Sequence, residues 1–449
     1  MGESMHVKQK PGIWCVIPFG LVRLPSLGVI LTVAALLRVA SIVILRNFMH
    51  PQLWEFGALA KAISAGKGFS DLTKDGSYQP SIYMPPGYPF VLASFYKILG
   101  ERPLTFLLIE ITQAASGVLL VYIVYRLANI LLGKRGAIAA ACIVAIYPAQ
   151  IYMCNEIHGI SLYIVLGTGA AFFLTRFLEV SHSWADVLAA GLCMGILMLF
   201  RGEAPGLLLL YAIILIMRGG WGVVVKAAVF VLIAISCLAP WTIRNYREFG
   251  KLIPICSSAG VNLWIGNNPA ATGDDRYVDA DLVREALSNY PMRAGDRQSS
   301  ELSSVPFDVK EAFDRIPMNR YSFVAKDAAL KTIATTYARS HPLREAELAA
   351  KKFTIFFLYD SSHEKGREPI YWVPSVLLSI MAAWGAFVRG KRLLTSDLYL
   401  VSSVFFAVVV GMAVFVLPRY KMVIDPFLII FAAAVFRSRG ELANGTRNS

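Results

Sequence analysis

Seven charged side chains stand where apolar segments of the chain end, and their types suit phosphate-dependent transfer chemistry. Three are glutamates and four are cations: Glu55, Glu156, Glu203, Arg201, Arg244, Arg419 and Lys421. A carboxylate can accept a proton from an attacking hydroxyl group, and an arginine fork matches two oxygens of a phosphate. Charged residues also stand at helix ends in membrane proteins of every function. The pattern indicates a catalytic site only if the fold brings these side chains together.

The stretch 51–89 lies between two apolar segments and carries helix signals of its own. Trp54 and Glu55 open an amphipathic helical pattern, which Gly66 and Gly68 end. Three prolines and a glycine within 85–89 then predict a stiff turn before the apolar run that begins at Phe90. We expect Glu55 to stand at the start of a helix along the membrane surface, and a second surface helix to follow the turn.

Composition places the whole chain in a membrane. Of its 449 residues, 56% are hydrophobic and 16% are charged, with a mean hydropathy of +0.56, so it has too little polar surface for a soluble globule. The net charge of +13 resides mainly in short loops beside apolar runs, as the positive-inside rule predicts. No basic stripe with interleaved aromatic residues suggests nucleic acid. The six cysteines show no metal-ligand spacing, so a metal is left unknown.

Apolar runs and basic loops together predict about ten transmembrane helices with both termini in the cytoplasm. The spans are expected near 24–45, 104–132, 137–153, 159–174, 184–200, 205–217, 223–239, 372–388, 398–417 and 422–436. The first span lacks a convincing cleavage site and should remain uncleaved. The chain then divides into a cytoplasmic segment 1–23, a membrane module 24–245 with its first outer loop at 47–103, a large extracytoplasmic loop 246–371, C-terminal membrane helices 372–436 and a cytoplasmic tail 437–449.

The first loop resembles that of the glycosyltransferase C superfamily, whose polytopic members take a sugar from a polyprenyl-phosphate carrier. The likeness is to the branch similar to protein O-mannosyltransferases and lipid A aminoarabinose transferases, and is glycosyltransferase family 39-like. In that family an acidic residue precedes a helix and a Gly-x-Gly, and Pro-Gly-Tyr-Pro follows. Glu55, Gly66, Gly68 and residues 86–89 match these positions, although the family more often has Asp or Asp-Glu where Glu55 follows Trp54. Weaker likenesses occur at 240–245, 260–269 and 419–420.

The resemblance implies an all-α, polytopic membrane fold and a transferase that moves a hexose or pentose from polyprenyl phosphate to an extracytoplasmic glycan, lipid or protein. It implies that Glu55 is the catalytic base and that direct displacement inverts the anomeric carbon. Arg244 and Arg419, with help from Lys421 and Arg201, would bind the donor phosphate. The remaining candidates are Glu156 and Glu203 for the acceptor or a divalent cation, and Tyr83 and Tyr88 for stacking on the sugar or holding the loop.

The resemblance further implies an integral protein of a bacterial inner membrane, with membrane lipids around it and its active site on the periplasmic or outer face. No cofactor follows from any motif, and a divalent cation remains open. A lipid or sugar transporter, or flippase, also needs many spans and buried charges. Against it, the charges gather at one face and not at the membrane midplane. A non-catalytic assembly subunit is a third alternative, and it predicts that Glu55 is dispensable.

Overall fold

The computed structural model describes residues 25–73, 76–274, 323–358 and 364–436. Within these ranges five helices are long and apolar enough to cross a membrane: Leu27–Leu45, Pro103–Ile146, Ile160–Ser181, Trp221–Phe249 and Pro369–Leu394. Four shorter apolar helices accompany them: Trp184–Phe200, Ala204–Gly219, Leu398–Ala413 and Asp425–Phe436. The chain is therefore an α-helical, polytopic membrane protein, as its composition predicted, while the number of ten spans stays a prediction.

The helices are numbered in chain order within the described residues. They are α1 Leu27–Leu45, α2 Trp54–Ser64, α3 Gly87–Leu99, α4 Pro103–Ile146, α5 Pro148–Tyr152, α6 Ile160–Arg176, α7 Trp184–Phe200, α8 Ala204–Gly219, α9 Val224–Phe249, α10 Ala259–Gly266, α11 Phe323–Ser340, α12 Pro342–Phe357, α13 Glu364–Arg367, α14 Pro369–Arg389, α15 Leu398–Ala413, α16 Pro418–Lys421 and α17 Asp425–Ala433. Short 3-10 or π turns occupy Asn47–Met49, Phe177–Ser181, Trp221–Val223, Gly390–Leu394 and Ala434–Phe436.

The helix α4 covers two of the spans that the sequence predicts. It breaks at Gly133, whose φ of 79° and ψ of 178° are not helical, and this is where the basic return to the cytoplasm was expected. A glycine is the residue that adopts a positive φ without a steric penalty. The break divides α4 into an upstream and a downstream arm.

The first outer loop contains two surface helices and a small hairpin between them. Helix α2 ends at Ser64, and Gly66 and Gly68 follow at φ values of 74° and 72°, in agreement with the predicted stop. Strands β1 (Ser70–Leu72) and β2 (Tyr78–Pro80) pair antiparallel, with Asp71 opposite Gln79. Nothing in the sequence pattern had indicated this hairpin. The second surface helix, α3, begins at Gly87.

The described part of the large outer loop packs on the outer ends of the membrane helices. Asp327 of α11 accepts hydrogen bonds from the Val261 amide at 3.0 Å and from Ser257 Oγ at 3.1 Å. A Cβ on Gly260 would lie 1.7 Å from the Asp327 carbonyl oxygen, so only glycine permits this approach. The sequence pattern over 325–338 predicts a helix, and α11 contains it. A second helical pattern in the sequence, over 279–288, lies outside the described residues.

Two predicted helix ends differ from the structure. Helix α9 continues through Pro240 to Phe249, although the sequence predicted an end near residue 239. Tertiary hydrogen bonds hold the extension, because Trp241 Nε1 donates to the Ile255 carbonyl at 2.6 Å and Asn245 Nδ2 donates to Ile253 and Ile255 carbonyls. Helix α15 instead ends at Ala413, four residues before the predicted end.

Candidate active site

A cavity of about 920 Å³ opens among the first loop, the α7–α8 turn, α10 and the Arg419 turn, and we name it the main cavity. Glu55 lies on its wall in the first turn of α2. Burial raises the pKa of the Glu55 carboxyl above its ordinary value, while a backbone hydrogen bond and the Arg419 guanidinium act in the opposite direction. The carboxyl group is thus partly desolvated and has a cation in its field.

Arg419 lines the main cavity from α16, near the C-terminal end of the chain, whereas Glu55 lies near the N-terminal end. Its guanidinium carbon lies 5.8 Å from the centroid of the Trp54 ring, which is a cation–π distance. Trp54 itself has a φ of 50°, which is uncommon for a non-glycine residue and places its ring beside the arginine turn. The helix start that carries Glu55 and the turn that carries Arg419 are therefore in contact.

Arg201 and Glu203 form an ion pair on the wall of the main cavity. Arg201 Nε donates to Glu203 Oε1 at 2.5 Å, and its NH1 donates to the Tyr163 hydroxyl at 3.2 Å. The guanidinium also lies 5.0 Å from the Tyr163 ring centroid and 5.5 Å from that of Tyr420. The two side chains are thus paired with each other and remain partly exposed.

Both tyrosines named from the sequence line the same cavity. Tyr83 is buried and packs edge-on against Phe323, with ring centroids 5.4 Å apart. The Tyr88 hydroxyl donates to Gln113 Oε1 at 2.9 Å, which ties α3 to α4. Burial, with the Glu55 charge next in importance, raises the pKa of Tyr83 well above its ordinary value. Tyr83 is therefore a neutral hydroxyl donor at neutral pH.

The structure places three of the seven charged candidates outside the main cavity. Glu156 lies beneath it, with Oε1 near Asn47 Nδ2 at 3.4 Å and bonded to the Tyr152 hydroxyl. Lys421 is 4% exposed, and its Nζ donates to Ser375 and Ser379. The expectation of one shared constellation therefore holds for Glu55, Arg201, Glu203 and Arg419 only.

Arg244 lines a second cavity of about 770 Å³, which we name the side cavity. Its NH1 donates to the Ser81 carbonyl and its NH2 to the Phe69 carbonyl, both at 2.7 Å. These carbonyls flank the β1–β2 hairpin, so the arginine fork fastens the hairpin to α9. Arg244 and Arg419 both stand at helix ends, but they line different cavities. The sequence could not predict this difference, because the direction of a side chain depends on tertiary packing.

Several cavity residues escaped the sequence reasoning: His158, Tyr163, Asn262 and Tyr420. Asn262 and Tyr420 lie within the weaker likenesses at 260–269 and 419–420, and His158 lies two residues after Glu156 in a predicted outer turn. The lower part of the main cavity is apolar and is lined by side chains from five helices, including Ile164, Leu197, Leu207, Phe406, Val410 and Phe427. Among the described residues no group of three or more His, Cys, Asp or Glu side chains comes together as a metal site.

This arrangement defines a polytopic membrane protein with an amphipathic cavity that holds two carboxylates and two guanidinium groups. The sequence profile of the family described as dolichyl-phosphate-mannose-protein mannosyltransferase matches residues 83–243. The matched segment begins inside the first loop and ends beside Arg244. A comparison with curated protein sequences finds no match.

Two solved structures show the same fold. The Archaeoglobus fulgidus oligosaccharyltransferase in its apo form, and AglB from that organism with an inhibitory peptide and a dolichol-phosphate, each match with 14% identity and a TM-score of 0.52. Both alignments cover 91% of this chain and 50% of the other, so the chain spans about half the length of those proteins. ArnT from Cupriavidus metallidurans bound to undecaprenyl phosphate aligns over 94% of this chain and 79% of its own, with 13% identity and a TM-score of 0.42. The fold and the matched family profile confirm the resemblance to the glycosyltransferase C superfamily.

Proposed function

We propose that this protein transfers a sugar from a polyprenyl-phosphate carrier to an acceptor on the outer face of a bacterial inner membrane. The observation that carries the proposal is that Glu55 and Arg419 line one amphipathic cavity, next to each other in space and 364 residues apart in sequence. A proton acceptor and a phosphate ligand are the two groups that such a transfer needs.

The shape of the main cavity fits an amphiphilic donor. Its upper wall presents Glu55, Arg201, Glu203 and Arg419, and its lower wall is apolar. A sugar phosphate can therefore lie against the polar wall while the first isoprene units lie below it. A volume of about 920 Å³ is at the upper end of the range for ligand pockets. The dolichol-phosphate in one of the structures that share this fold supports the same donor class.

The reaction is one displacement at the anomeric carbon. Glu55 takes the proton from the acceptor hydroxyl as its oxygen forms the new bond to that carbon. The bond from the anomeric carbon to the phosphate oxygen breaks, and both of its electrons leave with the polyprenyl phosphate. Arg419, with Arg201 behind it, stabilises the negative charge that gathers on the phosphate. Because one carboxylate acts as the base and a single displacement occurs, the configuration at the anomeric carbon is inverted.

The other candidates receive roles that follow from their positions. Tyr83 and Tyr88 stand on the cavity wall and contact the sugar or hold the loop, while Glu203 orients the Arg201 guanidinium or the acceptor. Arg244 and Lys421 act by positioning, since their donors are bound to carbonyl and hydroxyl oxygens of the protein. Glu156 supports the turn below His158 and does not reach the acceptor directly.

Reconstitution tests the proposal. The purified protein is placed in vesicles with undecaprenyl-phosphate mannose, and the release of undecaprenyl phosphate is followed with membrane extracts as the source of acceptor. Carriers that bear glucose or arabinose are tested in parallel, and removal of the protein from its host should cause the true donor to accumulate. Movement of the intact carrier across the bilayer without release of the sugar would assign the protein to the transporters. Full activity of a Glu55→Gln variant would support the assembly-subunit alternative.

A further inference from the structure

His158 is held in an aromatic box on the wall of the main cavity. Its ring lies edge-on to Phe56, with centroids 5.2 Å apart, and nearly parallel to Tyr88 at 6.3 Å. Tyr163 closes a third side at 6.5 Å. A Cβ on Gly159 would lie 3.2 Å from both the Phe200 and Tyr88 rings, so the backbone beside the imidazole is also confined. The ring therefore has little freedom to turn toward another partner.

Within the described residues, neither ring nitrogen of His158 is engaged by another side chain or by the backbone. No hydrogen bond joins the imidazole to the described part of the chain, and Nδ1 is buried without a partner. A buried polar atom without a partner is unfavourable, and groups of this kind commonly meet a ligand or a water molecule. Burial, followed by the charges of Arg419 and Arg201, lowers the pKa of His158 well below its ordinary value. The ring is thus neutral, with one donor and one acceptor nitrogen.

The turn that carries His158 is fixed from below by Gln113. This side chain is 1% exposed, accepts from the Tyr88 hydroxyl at 2.9 Å and donates to the Cys154 and Glu156 carbonyls at 3.0 and 2.7 Å. The His158 amide in turn donates to the Glu156 carbonyl at 2.7 Å. The box and its floor are therefore assembled before any ligand arrives, as a binding contact requires.

From this geometry we infer that His158 binds the transferred sugar, through a hydrogen bond between its neutral imidazole and a sugar hydroxyl group. A hydroxyl both donates and accepts, so it can satisfy either ring nitrogen. A phosphate would gain little here, because a neutral imidazole carries no charge to attract it. His158 thus distinguishes the sugar-bearing carrier from the carrier that bears no sugar. This inference rests on the proposed function and assigns a specificity residue to its site.

Paired binding measurements test the inference. The protein is titrated with undecaprenyl-phosphate mannose and with undecaprenyl phosphate that bears no sugar, and the carriers that bear glucose or arabinose replace the first if mannose does not bind. His158→Phe keeps an aromatic ring in the box and removes both nitrogens. We expect it to weaken binding of the sugar-bearing carrier roughly three- to tenfold, the range of one hydrogen bond, and to leave the bare carrier unaffected. His158→Gln should recover part of the loss.

His341→Phe is the matched control, because His341 is exposed and stacks on Tyr337 outside the cavity. A second measurement needs no variant. Diethyl pyrocarbonate modification of His158 in the wild-type protein, followed by mass spectrometry, should slow when the sugar-bearing carrier is present and not when the bare carrier is.

The outcomes separate this inference from the proposed function. If the wild-type protein binds both carriers, and His158→Phe weakens both equally or neither, His158 only fills space and the inference is wrong. Protection of His158 by both carriers alike leads to the same conclusion. If the wild-type protein binds no carrier of either kind, the proposed function itself fails.

Discussion

The guanidinium of Arg419 lies over the indole of Trp54, 5.8 Å from the ring centroid, and so joins the last outer turn of the chain to the first. Because Trp54 directly precedes Glu55, this contact brings the candidate base and the candidate phosphate ligand to one place. A cation–π contact of this kind contributes about 0.5–2 kcal/mol. A guanidinium that lies over an aromatic ring can still donate its N–H groups to phosphate oxygens.

Glu55→Gln should abolish sugar transfer while donor binding remains. Glutamine keeps nearly the same shape and can hydrogen-bond, but its amide cannot take a proton at neutral pH. We expect a loss of turnover of roughly 10²–10⁴-fold, the usual contribution of a general base. Glu55→Asp should retain part of the activity. Transfer and donor binding are measured separately in vesicles, and near-normal turnover of Glu55→Gln would place the base elsewhere, with Glu203, the other carboxylate on the cavity wall, the first residue to test.

The transfer rate should fall on acidification at a higher pH than an ordinary glutamate would give. Glu55 must be ionised to act, and burial raises its pKa above the ordinary 4.5, so the active form is lost as the pH falls through that raised value. Arg419 opposes the shift. Arg419→Gln, although slower, should therefore move the acid limb of the pH–rate profile further upward. An unmoved acid limb in that variant would show that the two groups do not interact.

Arg419→Lys and Arg244→Lys should fail in different ways. Lysine keeps the charge and loses the two-pronged geometry. At Arg419 we expect weaker donor binding with an unchanged first loop. At Arg244 a lysine cannot bridge the Phe69 and Ser81 carbonyls, so amide hydrogen exchange in the β1–β2 hairpin should rise. If both variants lose donor binding equally, and amide exchange in the hairpin does not change in Arg244→Lys, then Arg244 is a phosphate ligand after all.

The sequence predicted the helices better than it predicted the site, and the reasons are physical. Apolar periodicity fixed Trp184–Phe200 to the residue, since both ends of that helix are marked by polar groups. Gly66 and Gly68 likewise marked the end of α2. The helix end predicted near Pro240 was wrong, because the hydrogen bonds of Trp241 and Asn245 outweigh the tendency of proline to end a helix. The helix propensity of a residue predicts a helix end only weakly where tertiary contacts act on the same residues.

Whether a charged side chain lines the main cavity depends on the direction in which it points. The pattern of charges along the sequence does not give that direction. Glu55 and Arg419 were found because the resemblance named them and both face the main cavity. Arg244 and Lys421 have the same chemistry at the same depth, yet they turn toward carbonyl oxygens of their own protein. His158 was overlooked since its importance comes from an aromatic box assembled from three separate segments.

Lys352 should make stability depend on pH in an unusual direction. Its ammonium group is 1% exposed and donates to Asn267 Oδ1 and the Met412 carbonyl, at 3.1 and 3.0 Å. Burial lowers its pKa from 10.5 to about 8, although Glu345 acts the other way. The unfolded chain then binds the proton more tightly than the folded protein, so stability rises as the pH goes from about 8 to 10.5.

Thermal unfolding in detergent measures this effect. Relative to Lys352→Met, the wild-type protein should gain stability between pH 7.5 and pH 10, since a neutral amine still has the two N–H groups that its hydrogen bonds use. Lys351→Met removes an exposed neighbouring charge and serves as the control. A constant difference between wild type and Lys352→Met over this range would contradict the assignment.

The two faces of the membrane can be assigned by thiol labelling. Ser340, at the end of α11, and Thr395, in the loop before α15, are both exposed. Single cysteines at these positions, in a background in which all six native cysteines are replaced by serine, should react with an impermeant reagent from opposite sides, and Ser340→Cys should react from outside. Reaction of both from the same side would overturn the proposed topology.

The outer end of α15 is completed by other parts of the chain, and this sets an order for biosynthesis. The last carbonyls of a helix have no partners within it, and here the Met412 and Ala413 carbonyls accept from Lys352 Nζ and Asn267 Nδ2 at 3.0 and 2.8 Å. Both donors belong to the segment 246–371, which leaves the ribosome before α15 and lacks these two acceptors until α15 arrives. The turn with Arg419 begins only a few residues beyond, so this candidate phosphate ligand reaches its place beside Trp54 only at that late docking step. Closure of this end of α15 and completion of the main cavity are then a single event.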